Sequence, residues 1–197
     1  MLTILAVLIS YLLGSVSFSI LIAKWVKGID IRNHGSGNAG ATNTLRVLGK
    51  GPGTAVFLLD IAKGVLAVWL GVWIAGGDWA PVLCGLAAIA GHNWPVYFGF
   101  KGGKGIATTV GVMATLAFIP ALIAGVIAII LIAITRYVSL GSLILALLLP
   151  VFVWMMDKPA AYLWGSLVIC VLAFVRHRKN IVKLLKGTEN KLGAKKG

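Results

Sequence analysis

The sequence contains few charged residues and very few acidic ones. Only 12% of its 197 residues are charged, with 18 Lys and Arg against 5 Asp and Glu. A water-soluble domain of this size carries about 25% charged residues, so an ordinary soluble globule is excluded. The hydrophobic fraction of 59% and the mean hydropathy of +0.99 indicate a membrane protein.

Cysteine is also scarce. Cys84 and Cys170 both lie in apolar runs, where free thiols behave as small buried hydrophobic groups. Two such residues provide no disulfide framework, and no cluster of His and carboxylate residues has the spacing of a metal site. We therefore expect neither a metal nor another cofactor.

Long apolar runs predict the helices. They cover residues 1–23, 53–76, 79–98, 106–135, 138–156 and 159–175. About 20 apolar residues cross a hydrocarbon layer of about 30 Å, so the run 106–135 is too long for one straight span, and Pro120 divides it. The sequence predicts an all-α integral membrane bundle, with seven transmembrane helices if Pro120 marks a turn and six if it marks a kink.

The positions of the basic residues favour seven helices. Net charges of +4, +2, +1 and +7 fall at residues 24–50, 101–104, 136 and 176–197. With seven helices these four segments share one side of the membrane, which fits the cytoplasmic excess of Lys and Arg. We predict one membrane domain over residues 1–197, an external N-terminus, and a basic cytoplasmic tail over residues 176–197. Topology then accounts for the positive charge, so we expect no nucleic-acid partner.

Three polar segments fall on the predicted cytoplasmic side. In the first glycine segment, residues 34–46, closely spaced glycines can turn backbone N–H groups toward an anion, and a forked guanidinium suits phosphate. A flexible loop with incidental glycines is an equally good interpretation. The candidate anion ligands are Gly35, Ser36, Gly37, Asn38, Thr42, Asn43 and Arg46.

The second glycine segment, residues 91–109, places glycines and lysines ahead of an apolar helix. This arrangement can hold a phosphate at a helix N-terminus, and its candidate ligands are Gly102, Gly103 and Lys104. It is not a nucleotide-binding P-loop, because Gly105 stands where Ser or Thr would hold magnesium. A basic hinge at the membrane surface is the alternative.

The third segment, residues 176–189, follows the last apolar run. Helical spacing separates an apolar stripe containing His177 and Asn180 from a stripe of lysines, which suits solvent or lipid headgroups. A lone His on an apolar face is usually structural, but His and Asn together beside two anion segments indicate function. Ser142, at the same predicted level, is a weaker candidate.

Asp60 and Lys63 lie three residues apart inside the second predicted helix. Ionisable residues within a membrane are functional candidates by default. Their spacing allows them to pair, and mutual pairing already accounts for both charges. We therefore expect the pair to be structural.

Together the three segments resemble the motifs of the bacterial acyl-phosphate-dependent glycerol-3-phosphate acyltransferases, the PlsY family. The resemblance runs from about residue 14 to residue 189 and includes GSGNAGATN, GHNWP with KGGKG, and RHRKNI with GTE. It implies transfer of a fatty acyl group from acyl phosphate to the 1-hydroxyl of glycerol 3-phosphate, giving lysophosphatidic acid and phosphate. It further implies membrane lipids as partners and a site facing the cytoplasm in the bacterial inner membrane.

The resemblance also implies roles for individual residues. Glu189 would be structural, tying the tail to the basic loops, and Gly102, Gly103 and Lys104 would form the glycerol-phosphate loop. The catalytic residues would be Ser36, Arg46, His177 and Asn180.

Two mechanisms remain open. His177 could act as general base, or a phosphate oxygen of the donor could take the hydroxyl proton while Ser36 and Asn180 hold the phosphate. We favour the second, because no carboxylate lies near His177 in the sequence. A transporter of organic phosphates is the competing class, but we find no inverted repeat, and every polar segment lies on one predicted side.

Overall fold

The computed structural model describes residues 1–193, and all regular structure within them is helical. Two short 3-10 helices, Ile31–Asn33 and Val96–Phe98, lie in the connections. The prediction of an all-α fold is confirmed for this range, and residues 194–197 of the predicted basic tail lie outside it. The α-helices are α1 (Leu2–Ser15), α2 (Phe18–Lys27), α3 (Ala41–Leu48), α4 (Lys50–Ile74), α5 (Trp79–Asn93), α6 (Ile106–Leu116), α7 (Phe118–Thr135), α8 (Val138–Met155) and α9 (Ala160–Leu185).

Five stretches are long and apolar enough to cross a membrane: Leu2–Lys27, Lys50–Ile74, Phe118–Thr135, Val138–Met155 and Ala160–Leu185. Helices α5 and α6 have 15 and 11 residues. At about 1.5 Å per residue they extend about 22 and about 16 Å, less than the hydrocarbon thickness of about 30 Å. The count of seven spans therefore depends on these two short helices.

Prolines explain two differences from the predicted boundaries. Helix α5 ends at Asn93 rather than near Phe98, because Trp94 precedes a proline and has a non-helical backbone (φ −133°, ψ 72°). The division of the run 106–135 falls at Ala117. Pro120 lies in the first turn of α7, where a missing N–H costs no hydrogen bond.

The chain forms two compact units, and the first comprises residues 1–116. Within it α1 packs on α5, while α4 packs on α5 and α6. Glycines permit these close approaches: a Cβ on Gly14 would lie 2.6 Å from the Ala88 Cα atom, and one on Gly64 would overlap the Thr108 carbonyl. Small residues at helix crossings are typical of membrane bundles.

The second unit contains α7, α8 and α9, with α8 packed on both others. Its C-terminal segment is fastened to the connection between α7 and α8. The Leu192 N–H donates to the Arg136 carbonyl at 2.7 Å, and the Arg136 Nη2 donates to the Leu192 carbonyl at 2.7 Å. Both cysteines are free thiols. Cys84 is buried as predicted, whereas Cys170 is only partly buried.

Candidate active site

Asn43 organises the first glycine segment from within. It lies in the first turn of α3, and its side chain is buried. Its Nδ2 donates to the carbonyls of Ile31 (3.2 Å) and His34 (2.9 Å), and its Oδ1 accepts the Ser36 N–H at 2.8 Å. Since both ends of the amide are used within the loop, Asn43 shapes the segment that is a candidate for phosphate binding.

Further backbone groups of this segment are also engaged internally. The Gly37 N–H donates to the His34 carbonyl at 3.0 Å, and the Gly40 N–H donates to the Asn38 carbonyl at 3.1 Å. Gly35 and Gly37 have φ of +62° and +73°, a conformation that favours glycine. These glycines let the chain turn tightly, and the bonds direct several N–H groups inward.

Two of the predicted catalytic side chains lie at the surface of this segment. Ser36 and Arg46 are exposed, whereas Asn38 and Thr42 are partly buried. Thr42 also lines a shallow cavity between α3 and α4, together with Phe57. The first glycine segment thus exposes a hydroxyl and a guanidinium, while its Thr42 lies beside an apolar cavity.

An ion pair that was not predicted from the sequence lies just ahead of the first glycine segment and contacts the second. Arg32 Nη2 lies 2.7 Å from Asp30 Oδ2, and Arg32 Nη1 donates to the Phe98 carbonyl at 2.7 Å. The hydrogen bond from Arg32 holds the pKa of the Asp30 carboxyl below its usual value, and the same bond raises the pKa of Arg32. Both groups are therefore charged near neutral pH. The Asp-x-Arg spacing ahead of the glycines was the available signal.

The two glycine segments meet where Gly103 approaches Ala39. The Gly103 N–H donates to the His92 carbonyl at 3.0 Å. A Cβ on Gly103 would overlap His92 Nε2 and lie 2.5 Å from the Ala39 carbonyl oxygen. Glycine is therefore required for the packing of the loop, and the following residue, Lys104, is partly buried.

The pairing of Asp60 with Lys63, expected from their spacing, is confirmed. Lys63 Nζ lies 2.8 Å from Asp60 Oδ1, and both side chains are about 1–2% exposed. The structure adds His92, whose Nδ1 is 3.0 Å from Lys63 Nζ and 3.5 Å from Asp60 Oδ1. Three ionisable side chains therefore form one buried cluster, and its histidine belongs to the second glycine segment.

In the second unit, a backbone carbonyl orients His177. The ring is 2% exposed on α9, and its Nδ1 lies 2.8 Å from the Ala173 carbonyl oxygen one turn earlier. A carbonyl oxygen only accepts, so Nδ1 carries a proton, and the lone pair of the neutral ring is on Nε2. The group that orients the ring is thus a main-chain carbonyl four residues back, whereas from the sequence only carboxylates were considered.

Glu189 holds Asn180 and the beginning of α8. Its Oε1 accepts from Asn180 Nδ2 at 2.8 Å and from Ser139 Oγ at 3.0 Å. The family resemblance implies contacts with the basic loops, whereas the two partners of Oε1 are an amide and a hydroxyl. The hydroxyl of Ser142 donates to the Val138 carbonyl of its own helix at 2.8 Å.

The division of the third segment into two stripes is confirmed. The apolar stripe is buried or partly buried, and the lysine stripe is exposed. The former contains His177, Asn180, Ile181 and Leu184, and the latter Lys179, Lys183 and Lys186. The polar pair therefore faces the protein.

Replacing Asn43 with alanine should destabilise the protein and lower its activity. The change leaves the Ser36 N–H and two carbonyls without their partner, which costs about 1–3 kcal/mol. Thermal unfolding of purified protein in detergent and steady-state kinetics measure the two effects. Asn33→Ala, an exposed neighbour, is the control. Wild-type stability and activity in Asn43→Ala would contradict the shaping role.

Comparison with solved structures defines the class of protein. The fold is similar to the crystal structure of PlsY (YgiH), an integral membrane glycerol 3-phosphate acyltransferase, in its glycerol 3-phosphate form. The TM-score is 0.92 at 42% identity, covering 97% of this chain and 96% of the other. The lysophosphatidic acid form of PlsY gives a TM-score of 0.90 at 41% identity, with 97% and 95% covered. This molecule is therefore an integral membrane acyltransferase of phospholipid synthesis.

Comparison of sequences gives the family. The model of the glycerol-3-phosphate acyltransferase family matches residues 4–187. The glycerol-3-phosphate acyltransferase of Shouchella clausii is 57% identical over 96% of this chain and 95% of its own length. That of Halalkalibacterium halodurans is 58% identical, with 98% and 96% covered. The chain belongs to this family, which confirms the resemblance seen in the three motifs and favours an enzyme over a transporter.

Proposed function

We propose that the protein transfers a fatty acyl group from acyl phosphate to the 1-hydroxyl of glycerol 3-phosphate, releasing lysophosphatidic acid and phosphate. We choose acyl phosphate as the donor because a neutral carbonyl orients His177. A carboxylate partner stabilises an imidazolium, as in the Ser-His-Asp triad. A carbonyl carries no net charge and therefore stabilises an imidazolium less. Such a site suits an activated donor, and acyl phosphate is a mixed anhydride with a good leaving group.

The sequence supports the same donor. Acyl-CoA-dependent glycerolipid acyltransferases generally have an acid five residues after a catalytic histidine. The residues at this spacing after the three histidines of the chain are Ala39, Tyr97 and Val182. None can serve as the acid.

In the proposed reaction, the hydroxyl oxygen attacks the acyl carbonyl carbon, and the bond from that carbon to the phosphate oxygen breaks. The hydroxyl proton passes to a phosphate oxygen of the donor. In the first unit, Ser36 holds the donor phosphate, and Arg46 balances its charge. Positioning and electrostatic stabilisation supply most of the acceleration.

We also propose seven membrane-spanning helices with the N-terminus outside and the site facing the cytoplasm of a bacterial inner membrane. The distribution of basic segments supports this orientation. Helices α5 and α6 supply the two spans beyond the five long ones. Their short length requires a locally thinner bilayer or flanking residues that extend the span.

The test of the donor uses purified protein in detergent with labelled glycerol 3-phosphate. Palmitoyl phosphate and palmitoyl-CoA are compared as donors, each with and without EDTA. We expect labelled lysophosphatidic acid from palmitoyl phosphate alone, unaffected by EDTA. Product from palmitoyl-CoA but not from palmitoyl phosphate would overturn the assignment of the donor.

Lys104→Ala should raise the KM for glycerol 3-phosphate by about 10-fold or more and change kcat little. A charge-assisted hydrogen bond to phosphate contributes about 1.5–3 kcal/mol, and losing it equally from ground and transition states acts on KM. Lys101→Ala, an exposed lysine of the same loop, is the matched control. An unchanged KM in Lys104→Ala would remove this residue from the binding site.

A further inference from the structure

We propose that His92 is a positioning residue for the glycerol-phosphate loop. The buried ion pair of Asp60 and Lys63 fixes the proton of His92 on Nε2, and the ring in turn fixes Gly103 beside Lys104. This inference rests on the proposed role of that loop in binding glycerol 3-phosphate. It assigns to the buried cluster a function beyond neutralising its own charges.

The first step is the set of neighbours around Lys63. Its Nζ lies 2.9 Å from the Val16 carbonyl oxygen, 2.8 Å from Asp60 Oδ1 and 3.0 Å from His92 Nδ1. An ammonium group has three N–H donors and no acceptor. The ammonium cannot accept a hydrogen bond, so its 3.0 Å contact requires a lone pair on Nδ1 of His92, and the other neighbour of Nδ1, Asp60 Oδ1, lies farther away at 3.5 Å. The ring is then neutral, with its proton on Nε2.

The second step is the position of Nε2. A Cβ added to Gly103 would overlap Nε2 and lie 3.0 Å from Cδ2 of the same ring. The Gly103 N–H also donates to the His92 carbonyl at 3.0 Å. The ring and the main chain of His92 thus contact one residue, and a tilt or tautomer change of the ring reaches Gly103 and its neighbour Lys104.

The third step concerns why the cluster contains charges. Replacing a buried ion pair by apolar residues of similar size is often neutral or stabilising, so stability alone does not require Asp60 and Lys63. Helices α4 and α5 already pack through Gly71, whose Cβ would lie 2.6 Å from the Pro81 Cα atom. The ion pair selects one tautomer of His92, and apolar packing cannot make that selection.

Two isosteric variants of His92 provide the experiment. Glutamine places an amide near the position of Nε2, whereas asparagine places one near Nδ1. The dissociation constant for glycerol 3-phosphate is measured by calorimetry on purified protein in detergent. We expect an increase of about 10-fold or more in His92→Asn and less than about 3-fold in His92→Gln, because one misplaced group in a binding loop costs on this order.

The double variant Asp60→Asn/Lys63→Met tests the tautomer without leaving a buried charge unpaired. It should weaken glycerol 3-phosphate binding about as much as His92→Asn does. Combining it with His92→Asn should add little, since contacting residues acting through one loop are not additive. Full additivity would overturn the proposal.

Thermal unfolding separates positioning from a merely structural role. Equal dissociation constants in His92→Asn and His92→Gln, with lowered unfolding temperatures, would overturn the proposal. If His92→Asn does not fold, the test rests on the Asp60→Asn/Lys63→Met variant. Wild-type affinity for glycerol 3-phosphate in that variant would refute the inference. Calorimetry needs no acyl donor, so failure of palmitoyl phosphate in the kinetic assay would refute the proposed donor alone.

Discussion

Replacing His177 with alanine should lower kcat by about two to three orders of magnitude and leave the KM for glycerol 3-phosphate nearly unchanged. The ring is buried, and its Nδ1 is held by the Ala173 carbonyl, so Nε2 is the nitrogen that we expect to act in the reaction. Groups that act on charge developing in the transition state contribute about 10²–10⁴-fold, and this loss appears in kcat. Steady-state kinetics with saturating acyl phosphate measure it.

Two further variants identify the atom. His177→Asn retains a donor near Nδ1 for the Ala173 carbonyl but removes the group at Nε2, so we expect kcat as low as in His177→Ala. His177→Gln retains a hydrogen-bonding group near Nε2 that cannot take a proton at neutral pH. Substantial activity in His177→Gln favours proton transfer to the donor phosphate, whereas wild-type kcat in His177→Asn would exclude a role for Nε2.

Gly103→Ala should reduce kcat/KM by about two orders of magnitude. The added methyl group would overlap His92 Nε2 and press on the Ala39 carbonyl. Both neighbours are buried, so the loop itself must shift, and a displacement of about 1 Å in a binding loop costs about 10²-fold. Kinetics together with thermal unfolding measure the effect.

Gly125→Ala is the matched control for this substitution. Gly125 lies in α7, and a Cβ there would meet nothing within 4 Å. Since alanine is the better helix former, we expect wild-type kinetics and equal or higher stability. Wild-type kcat/KM in Gly103→Ala would show that the loop tolerates a side chain at the point where the two glycine segments meet.

Local features of the site could be predicted from the sequence. Asp60 and Lys63 are three residues apart on one helix, and this spacing alone places their side chains together. The same reasoning separated His177 from the exposed lysines of α9. The ends of the helices were less predictable, because they depend on the backbone conformation of single residues. Trp94 ends α5, and Ala117 precedes α7, each with a non-helical backbone.

Contacts between distant parts of the chain could not be predicted. His92 joins Lys63 across 29 residues, and periodicity carries information only about neighbours within a few turns. Asn43 shows a different limit, because an amide in a glycine-rich loop has the same chemistry whether it binds a phosphate or the loop itself. Only the placement of its partners, Ile31, His34 and Ser36, distinguishes these roles.

The pairing of Asp60 with Lys63 within one helix also affects how the protein enters the bilayer during synthesis. A single charged residue at the centre of a nascent helix opposes insertion by about 2.5–3.5 kcal/mol. Because α4 carries both charges one turn apart, it presents the translocon with an internally neutralised segment. His92 is synthesised 29 residues after Lys63, so α4 does not depend on α5 for a counterion when it partitions into lipid.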